Sequence, residues 1–311
     1  MRVGVFGNHD SWYVHELCRF GISRGHEVFP LLFDKVTVMM SLQGVSYRCW
    51  NTDNTEPRPD SVPQPDSVEL ESLDVILVRT MPPGTLEQVV SRMDVLAGLQ
   101  SSGVRVVNPP KSLECAVDKY LTTQKLAETG LPVPATAVCE DSDAAMLMFE
   151  QLGGDVVVKP LFGAEGRGIM RVSDPELALR CFRTLERLGA VLYLQQFLQP
   201  GAGAQAVSDI RVLLLDGEVV GAMKRTARAG DFRANVAQQG TAVPHAPSPR
   251  EVELARRATE VTGCVFAGVD LMYDAAGNAF VIEVNAVPGW RGLQKTCGVC
   301  VPTRLYDWLE R

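Results

Sequence analysis

One lysine at the mouth of a glycine-rich turn defines the first chemistry this chain is equipped for. Lys159 closes the run Asp155-Val-Val-Val-Lys159-Pro160. Three consecutive valines predict a buried strand, and Pro160 ends it because proline donates no hydrogen bond to a ladder. Gly163, Gly166 and Gly168 follow, with Ala164 and Glu165 between the first two. Without side chains at these glycines, backbone N–H groups can approach an anion closely. Strand character resumes over residues 169–172. A strand, a lysine, a turn and a strand make a hairpin lid able to fold over a polyphosphate. It is not a Walker A loop, in which the lysine follows the glycines and a helix follows the lysine. An ordinary tight hairpin is the alternative reading.

Residues 268–285 carry a second pattern, two apolar runs joined by the turn formers 274–278. With the turn centred between Ala276 and Gly277, Asp270 and Glu283 fall opposite one another, and Asn285 shares their face because strand side chains alternate. Opposed carboxylates repel unless a cation lies between them, and two carboxylates with an amide suit magnesium. Pairing of the carboxylates with arginines is the alternative. A third feature is the set Lys224, Arg225, Arg228 and Arg233, which forms a local anion trap in an acidic chain, or a solvated basic loop.

Taken together, these segments resemble the signature segments of RimK-like ATP-grasp carboxylate–amine ligases. The match is carried by Lys159 to Gly168, by Gly230-Asp-Phe-Arg233-Ala-Asn235 and by Ile282-Glu283-Val-Asn285-Ala-Val-Pro288-Gly289. The resemblance implies an ATP-grasp fold, α/β and α+β, in which two subdomains grip ATP behind an N-terminal Rossmann-like (pre-ATP-grasp) α/β domain. The expected boundaries are 1–108 for that domain, 109–192 for the central subdomain with its lid, and 193–311 for the subdomain with the magnesium and substrate site. ATP is then expected on Lys119, Lys159, Gly163, Ala164, Glu165, Gly166 and Gly168. Its adenine would meet the backbone edge of the strand bearing Gln195, Gln196 and Phe197, and its ribose Asp209. Gln196 stands where the family commonly has glutamate, which leaves a side-chain role in purine or ribose recognition open. Magnesium, or manganese, is implied on Asp270, Glu283 and Asn285. Arg211, Arg233 and Asn235 are implied as catalytic contacts to the γ-phosphate and the acyl phosphate. The implied reaction phosphorylates a carboxylate, and an amine then displaces phosphate to leave an amide.

Residues 78–94 and 288–294 look similar to the RimK-like ligases linked to tetrahydromethanopterin-dependent one-carbon metabolism, which implies addition of glutamate to a small-molecule carboxylate acceptor of the pterin type. The runner-up acceptor is a protein C-terminus or carrier protein. Arg79 leaves its strand at the carboxyl end, where open α/β sheets bind ligands. Trp290 offers a flat apolar face and Arg291 a fixed charge, a pair suited to an aromatic cofactor with a carboxylate; a core position for Trp290 and pairing of Arg291 with an acid are the alternative. Two readings come from other classes, a nucleotide-binding scaffold without activity and a kinase that stops at phosphoryl transfer. Lys159, Asp270, Glu283 and Asn285 weigh against the scaffold.

The elements that must position these residues can be read in outline. The chain of 311 residues is long enough for two or three domains. A net charge of −7 weighs against nucleic acid as a partner. No apolar run is long enough to span a bilayer and the start does not read as a signal peptide, so the cytoplasm is the expected setting; a homo-oligomer is left open. The eight cysteines lack a disulfide spacing, and the C-x-x-C at Cys297 and Cys300 has no companion pair or histidine cluster, so core roles are expected. Strands at 2–6 and 25–33 flank a helix at 15–24, a βαβ start whose first turn lacks the glycine fingerprint of a dinucleotide site. Residues 51–68, rich in proline, serine and acids, predict a solvated loop. Further elements are expected at 73–79, 85–99, 104–108, 112–128, 174–188 and 191–198.

Overall fold

The computed structural model describes residues 1–8, 10–50, 66–163, 167–201, 206–228, 230–232 and 240–311. The chain divides into two compact units, Met1–Leu113 with Cys300–Arg311, and Glu114–Val299.

The first unit is built on apolar runs that can be buried on both faces. β1 (Arg2–Phe6), α1 (Trp12–Ser23) and β2 (Glu27–Leu31) form the expected βαβ start. β3 (Val36–Ser41), β4 (Gly44–Trp50) and β5 (Ser67–Glu69) make a separate antiparallel sheet. β6 (Val75–Val78), α2 (Leu86–Ser101) and β7 (Arg105–Val107) complete a parallel sheet of order β2-β1-β6-β7. Val3, Val5, Ile76 and Leu77 are buried in it, the near-continuous apolar pattern of a parallel strand. Thr85 caps α2 in a reciprocal capping box with Gln88. Two expectations change. Residues 67 and 68 of the expected loop belong to β5, with Val68 buried, while 51–65 lie outside the described residues. The C-terminal residues also belong to this unit, where Tyr306 donates to the Leu17 carbonyl at 2.9 Å. Sequence order hides that return, because an apolar helix face does not declare its partner.

α3 (Pro110–Val117) leads from the first unit to the second, where α4 (Lys119–Glu128) starts. The single helix expected across 112–128 is two, because Asp118 leaves helical geometry and caps α4 by accepting from the Tyr120 and Leu121 amides. β8 (Thr136–Cys139), α5 (Ser142–Gln151), β9 (Val156–Lys159), β10 (Met170–Val172), α6 (Pro175–Arg187) and β11 (Leu192–Gln196) follow. Their antiparallel sheet has the order β10-β9-β11-β8, and β9 and β10 form the expected hairpin. Phe149 of α5 and Phe182 of α6 meet edge to face over Val156, Val158, Leu192 and Leu194. Because β11 pairs with both β8 and β9, a boundary at 192/193 would divide this sheet; the strand belongs wholly to it.

The second sheet, β14-β13-β12-β15-β16, comprises β12 (Ser208–Leu215), β13 (Glu218–Thr226), β14 (Thr241–Pro244), β15 (Phe266–Tyr273) and β16 (Ala279–Asn285). α7 (Pro249–Thr262), capped by Ser248 and Glu251, packs on it, and α8 (Arg291–Cys297) and α9 (Val301–Leu309) close the chain. No described helix is long and apolar enough to cross a membrane.

Candidate active site

Two hairpins of the second unit bring four charges onto one sheet face. β12 and β13 join through Asp216-Gly217, both at positive φ (51° and 75°), the geometry a two-residue hairpin turn requires. Counted from that turn without interruption, Asp209 would face Lys224. A one-residue shift between Leu213 and Leu214 sets it against Arg225 instead. In β15–β16 a similar shift between Asp270 and Leu271 sets Asp270 against Glu283. The expected opposition therefore holds, but the register comes from a bulge and not from a turn centred between Ala276 and Gly277. Bulges of this kind re-aim side chains by exchanging the two faces of a strand.

Arg211 faces Asp270 directly, and cross-strand partners share a face. Its Nε and Nη2 donate to Asp270 Oδ1 and Oδ2, both at 2.6 Å. Arg225 donates to both oxygens of Asp209 at 2.6 and 2.7 Å and reaches Asp270 Oδ2 at 2.9 Å. The result is a chain Arg211–Asp270–Arg225–Asp209 whose two positive and two negative charges cancel. Burial alone would raise Asp270, yet the two guanidinium groups outweigh it and hold the carboxyl down at about 2. Asp209 moves the other way, raised by burial and by the neighbouring Asp270 charge against the pull of Arg225.

The alternative reading, carboxylates paired with arginines, is thus realised at Asp270. Oxygen capacity remains. A carboxylate has about four lone-pair positions, and Arg211 and Arg225 occupy one on Oδ1 and two on Oδ2. Glu283 is half-buried and lies within electrostatic reach of Lys159. Asn285, two residues on, accepts from the Val287 amide through Oδ1 at 2.9 Å. No three described His, Cys, Asp or Glu side chains converge as a metal cluster, and the third member here is an amide. Two carboxylates and an amide oxygen on neighbouring strands fit a hard cation that prefers oxygen ligands and retains waters.

In the sheet β10-β9-β11-β8, Lys159 at the end of β9 donates from Nζ to Gln195 Oε1 at 2.6 Å. Gln195 is only 3% exposed. Its Nε2 donates to Thr136 Oγ1 at 3.2 Å and to the Tyr193 hydroxyl at 3.3 Å, and that hydroxyl pairs with Thr123 Oγ1 at 2.8 Å. A hydrogen-bonded chain through three strands and α4 therefore fixes the lysine. Desolvation pushes the Lys159 ammonium down to about 8, with Lys119 acting in the same direction and Glu283 and Asp270 against it. Lys119, the first residue of α4, donates from Nζ to the Gly163 carbonyl at 2.9 Å, so this second lysine meets the start of the glycine turn. Gly168, at φ 72°, adopts the left-handed conformation that favours glycine. Ala164, Glu165, Gly166, Arg233 and Asn235 lie outside the described residues.

The remaining expected site residues have partners of their own in the fold. The backbone of β11 is paired on both sides, so no free edge for a purine lies within it at Gln195 and Gln196. The Phe197 ring is buried against Phe232 with Arg171 stacked over it at 3.6 Å, and its backbone N–H donates to the Asp155 carbonyl at 3.0 Å. Trp290 is 0% exposed and packs on Phe266 at 5.7 Å between centroids, so its ring is core and forms no pocket wall; the neighbouring Arg291 is exposed. Asp209, expected on ribose, pairs with Arg225, and Arg211, expected on the substrate side, pairs with Asp270. In the first unit, Arg79 is buried beneath Tyr13, its guanidinium 5.5 Å from the ring centroid, and desolvation lowers it to about 9. Sequence reading missed Tyr193, Thr136 and Thr123. It gave Arg225 only as one cation among several, although alternation from Met223 along a strand was a usable signal.

Comparison with known proteins bears on the family and the fold. The RimK-like ATP-grasp domain model matches residues 116–309, and the N-terminal domain of prokaryotic glutathione synthetase matches residues 10–114. Tetrahydromethanopterin:alpha-L-glutamate ligase of Methanosarcina acetivorans is 31% identical over 269 residues, 78% of this chain and 81% of that one. Ribosomal protein bS6--L-glutamate ligase of Salmonella paratyphi B is 34% identical over 206 residues, 66% and 67% of the two chains. Among solved structures, the ATP-grasp ligase PsnB complexed with minimal precursor superposes with a TM-score of 0.74 at 21% identity, covering 98% of this chain and 96% of that one. The same ligase has been solved with Mg and ADP.

Proposed function

This chain belongs to the RimK-like ATP-grasp family, and from that membership we propose that it joins the amino group of glutamate to a carboxylate of a small tetrahydromethanopterin-type cofactor. The reaction class is that of the family, ATP-dependent carboxylate–amine ligation, with ATP and magnesium as its requirements. The small acceptor rests on one observation. Similarity to the pterin-modifying ligase extends over 269 residues, compared with 206 for the ribosomal-protein ligase. Modification of a protein C-terminus is the second reading, favoured by the higher identity, 34%, of that shorter match.

In the proposed mechanism Lys159 and Lys119, with the glycine turn, hold the phosphates of ATP. Asp270, Glu283 and Asn285 would hold magnesium, for which manganese is an alternative, and the ion neutralises phosphate oxygens when bound. Gln195, accepting from the Lys159 ammonium at 2.6 Å, fixes where that charge meets the phosphates. Arg211, with Arg233 from the family pattern, balances charge as the acceptor carboxylate attacks the γ-phosphorus. The products of that step are an acyl phosphate and ADP. The amine then attacks the acyl carbon, and phosphate leaves. Closure of the β9–β10 lid would exclude water, which otherwise hydrolyses the acyl phosphate. Eight free thiols suit the reducing cytoplasm.

ADP release is measured over amino acids crossed with acceptors, and products are weighed by mass spectrometry. Gain of one glutamyl residue by a pterin carboxylate is the expected result. ADP release that needs no amine would instead indicate a kinase, and glutamylation of a peptide tail but no pterin would support the second reading.

A further inference from the structure

We propose that two copies of this chain associate through the β3–β4 hairpin, the β3 edge of one copy pairing antiparallel with the β3 edge of the other. Residues 36–47 contain no Asp, Glu, Lys, Arg or His, in a chain of which 22% is charged. β3 occupies an outer position in its sheet, which has the order β3-β4-β5. Met39, Met40, Leu42 and Val45 are 67, 76, 104 and 50% exposed. Soluble proteins blunt such edges with lysine, proline or a bulge. None of these devices is present here, since residues 36–47 lack proline and β3 pairs with β4 through six consecutive positions without a shift.

The hairpin is anchored at its root, where Tyr47 and Cys49 are buried, so the exposed tip is carried on a packed base. A second copy is the occupant the charges favour. Two molecules of net charge −7 repel each other, and a neutral strip is where that repulsion is least. A surface for an acidic or basic partner would carry complementary charge. An antiparallel edge is also self-complementary about a two-fold axis, which is the symmetry of most homodimers. Pairing would satisfy the outer N–H and C=O groups of β3 and bring Met39, Met40 and Leu42 against the hairpin of the other copy.

Sedimentation equilibrium of the intact protein, without ligands, tests the assignment. A concentration-dependent dimer is expected. Met40→Lys and Leu42→Glu should each weaken the dissociation constant by about tenfold or more, since each places a charge in an otherwise uncharged apolar contact. Neither residue belongs to the catalytic machinery, so basal ADP release, and the unfolding midpoint measured at concentrations where both proteins are monomeric, should be unchanged. In the wild type, hydrogen exchange at the amides of Val36–Ser41 should slow as the protein is concentrated, a measurement that needs no variant. A protein monomeric at every concentration, or a dimer indifferent to both substitutions with no such protection, would overturn the proposal. Protection of β3 that appears only when a peptide substrate is added would overturn it too, by assigning the edge to that peptide.

Discussion

Lys159 and Gln195 stand one strand apart, and the 2.6 Å bond between the ammonium and the buried amide oxygen fixes where the positive charge sits before any nucleotide arrives. A hydrogen bond to a charged group is worth about 1.5–3 kcal/mol. Gln195→Leu should therefore raise the KM for ATP and lower turnover by about tenfold or more, with ADP release as the assay. Kinetics equal to wild type would show that the lysine needs no such partner.

The depressed Lys159 value carries a pH prediction. Its folded-state value of about 8 lies below the ordinary 10.5, so between the two the unfolded chain binds more protons and stability rises with pH. ATP affinity should run the opposite way, falling as the ammonium is lost above about pH 8, in wild type but not in Lys159→Met. A KM for ATP that stays flat to about pH 10 would remove Lys159 from phosphate binding.

Arg225 joins the Asp209 and Asp270 carboxylates, and its side chain is 4% exposed. Removing one member of a buried charge set costs about 3–5 kcal/mol. Arg225→Met should lose stability on that scale in urea unfolding, and Arg225→Lys should recover part of it. The Asp270 contribution has its own sign. Its folded value lies below the unfolded one, so this stability is present above about pH 4 and disappears as pH falls toward 2.

Thermal unfolding tests the cation site. ATP with magnesium should raise the midpoint more than ATP alone, because a ligand that binds only the folded state stabilises it. Glu283→Gln and Asn285→Ala should shrink the difference between the two conditions. An undiminished difference in both variants would place the cation elsewhere.

Trp290, buried on Phe266, should behave as a core residue. Trp290→Ala should destabilise by about 3–5 kcal/mol. Trp290→Phe, which retains most of the ring packing, should leave the KM for the acceptor near the wild-type value. A raised acceptor KM in a normally stable Trp290→Phe protein would restore the ring to the pocket.

Much of this was legible in the chain itself. Valines ending at Lys159, glycines at 163 and 168, and turn formers between two apolar runs state local preferences that short-range sterics enforce, so the strands, the lid hairpin and the lysine at its mouth could be located before any fold was known. Register could not, because it depends on how two strands bury their faces together. The turn at Asp216-Gly217 read alone pairs Asp209 with Lys224, and the turn at 274–278 sets Asp270 against Ile282; one bulge in each hairpin replaces these partners with Arg225 and Glu283. Those shifts turn a cation and a carboxylate toward one face and an exposed lysine to the other. Burial of Arg79 was equally out of reach, and that of Trp290 stood only as an alternative, since a side chain's surroundings are supplied by residues distant in sequence. The ion-paired row Arg211–Asp270–Arg225–Asp209 therefore exists only in the folded sheet, where low polarity makes each unpaired charge costly and so selects the register that pairs them all.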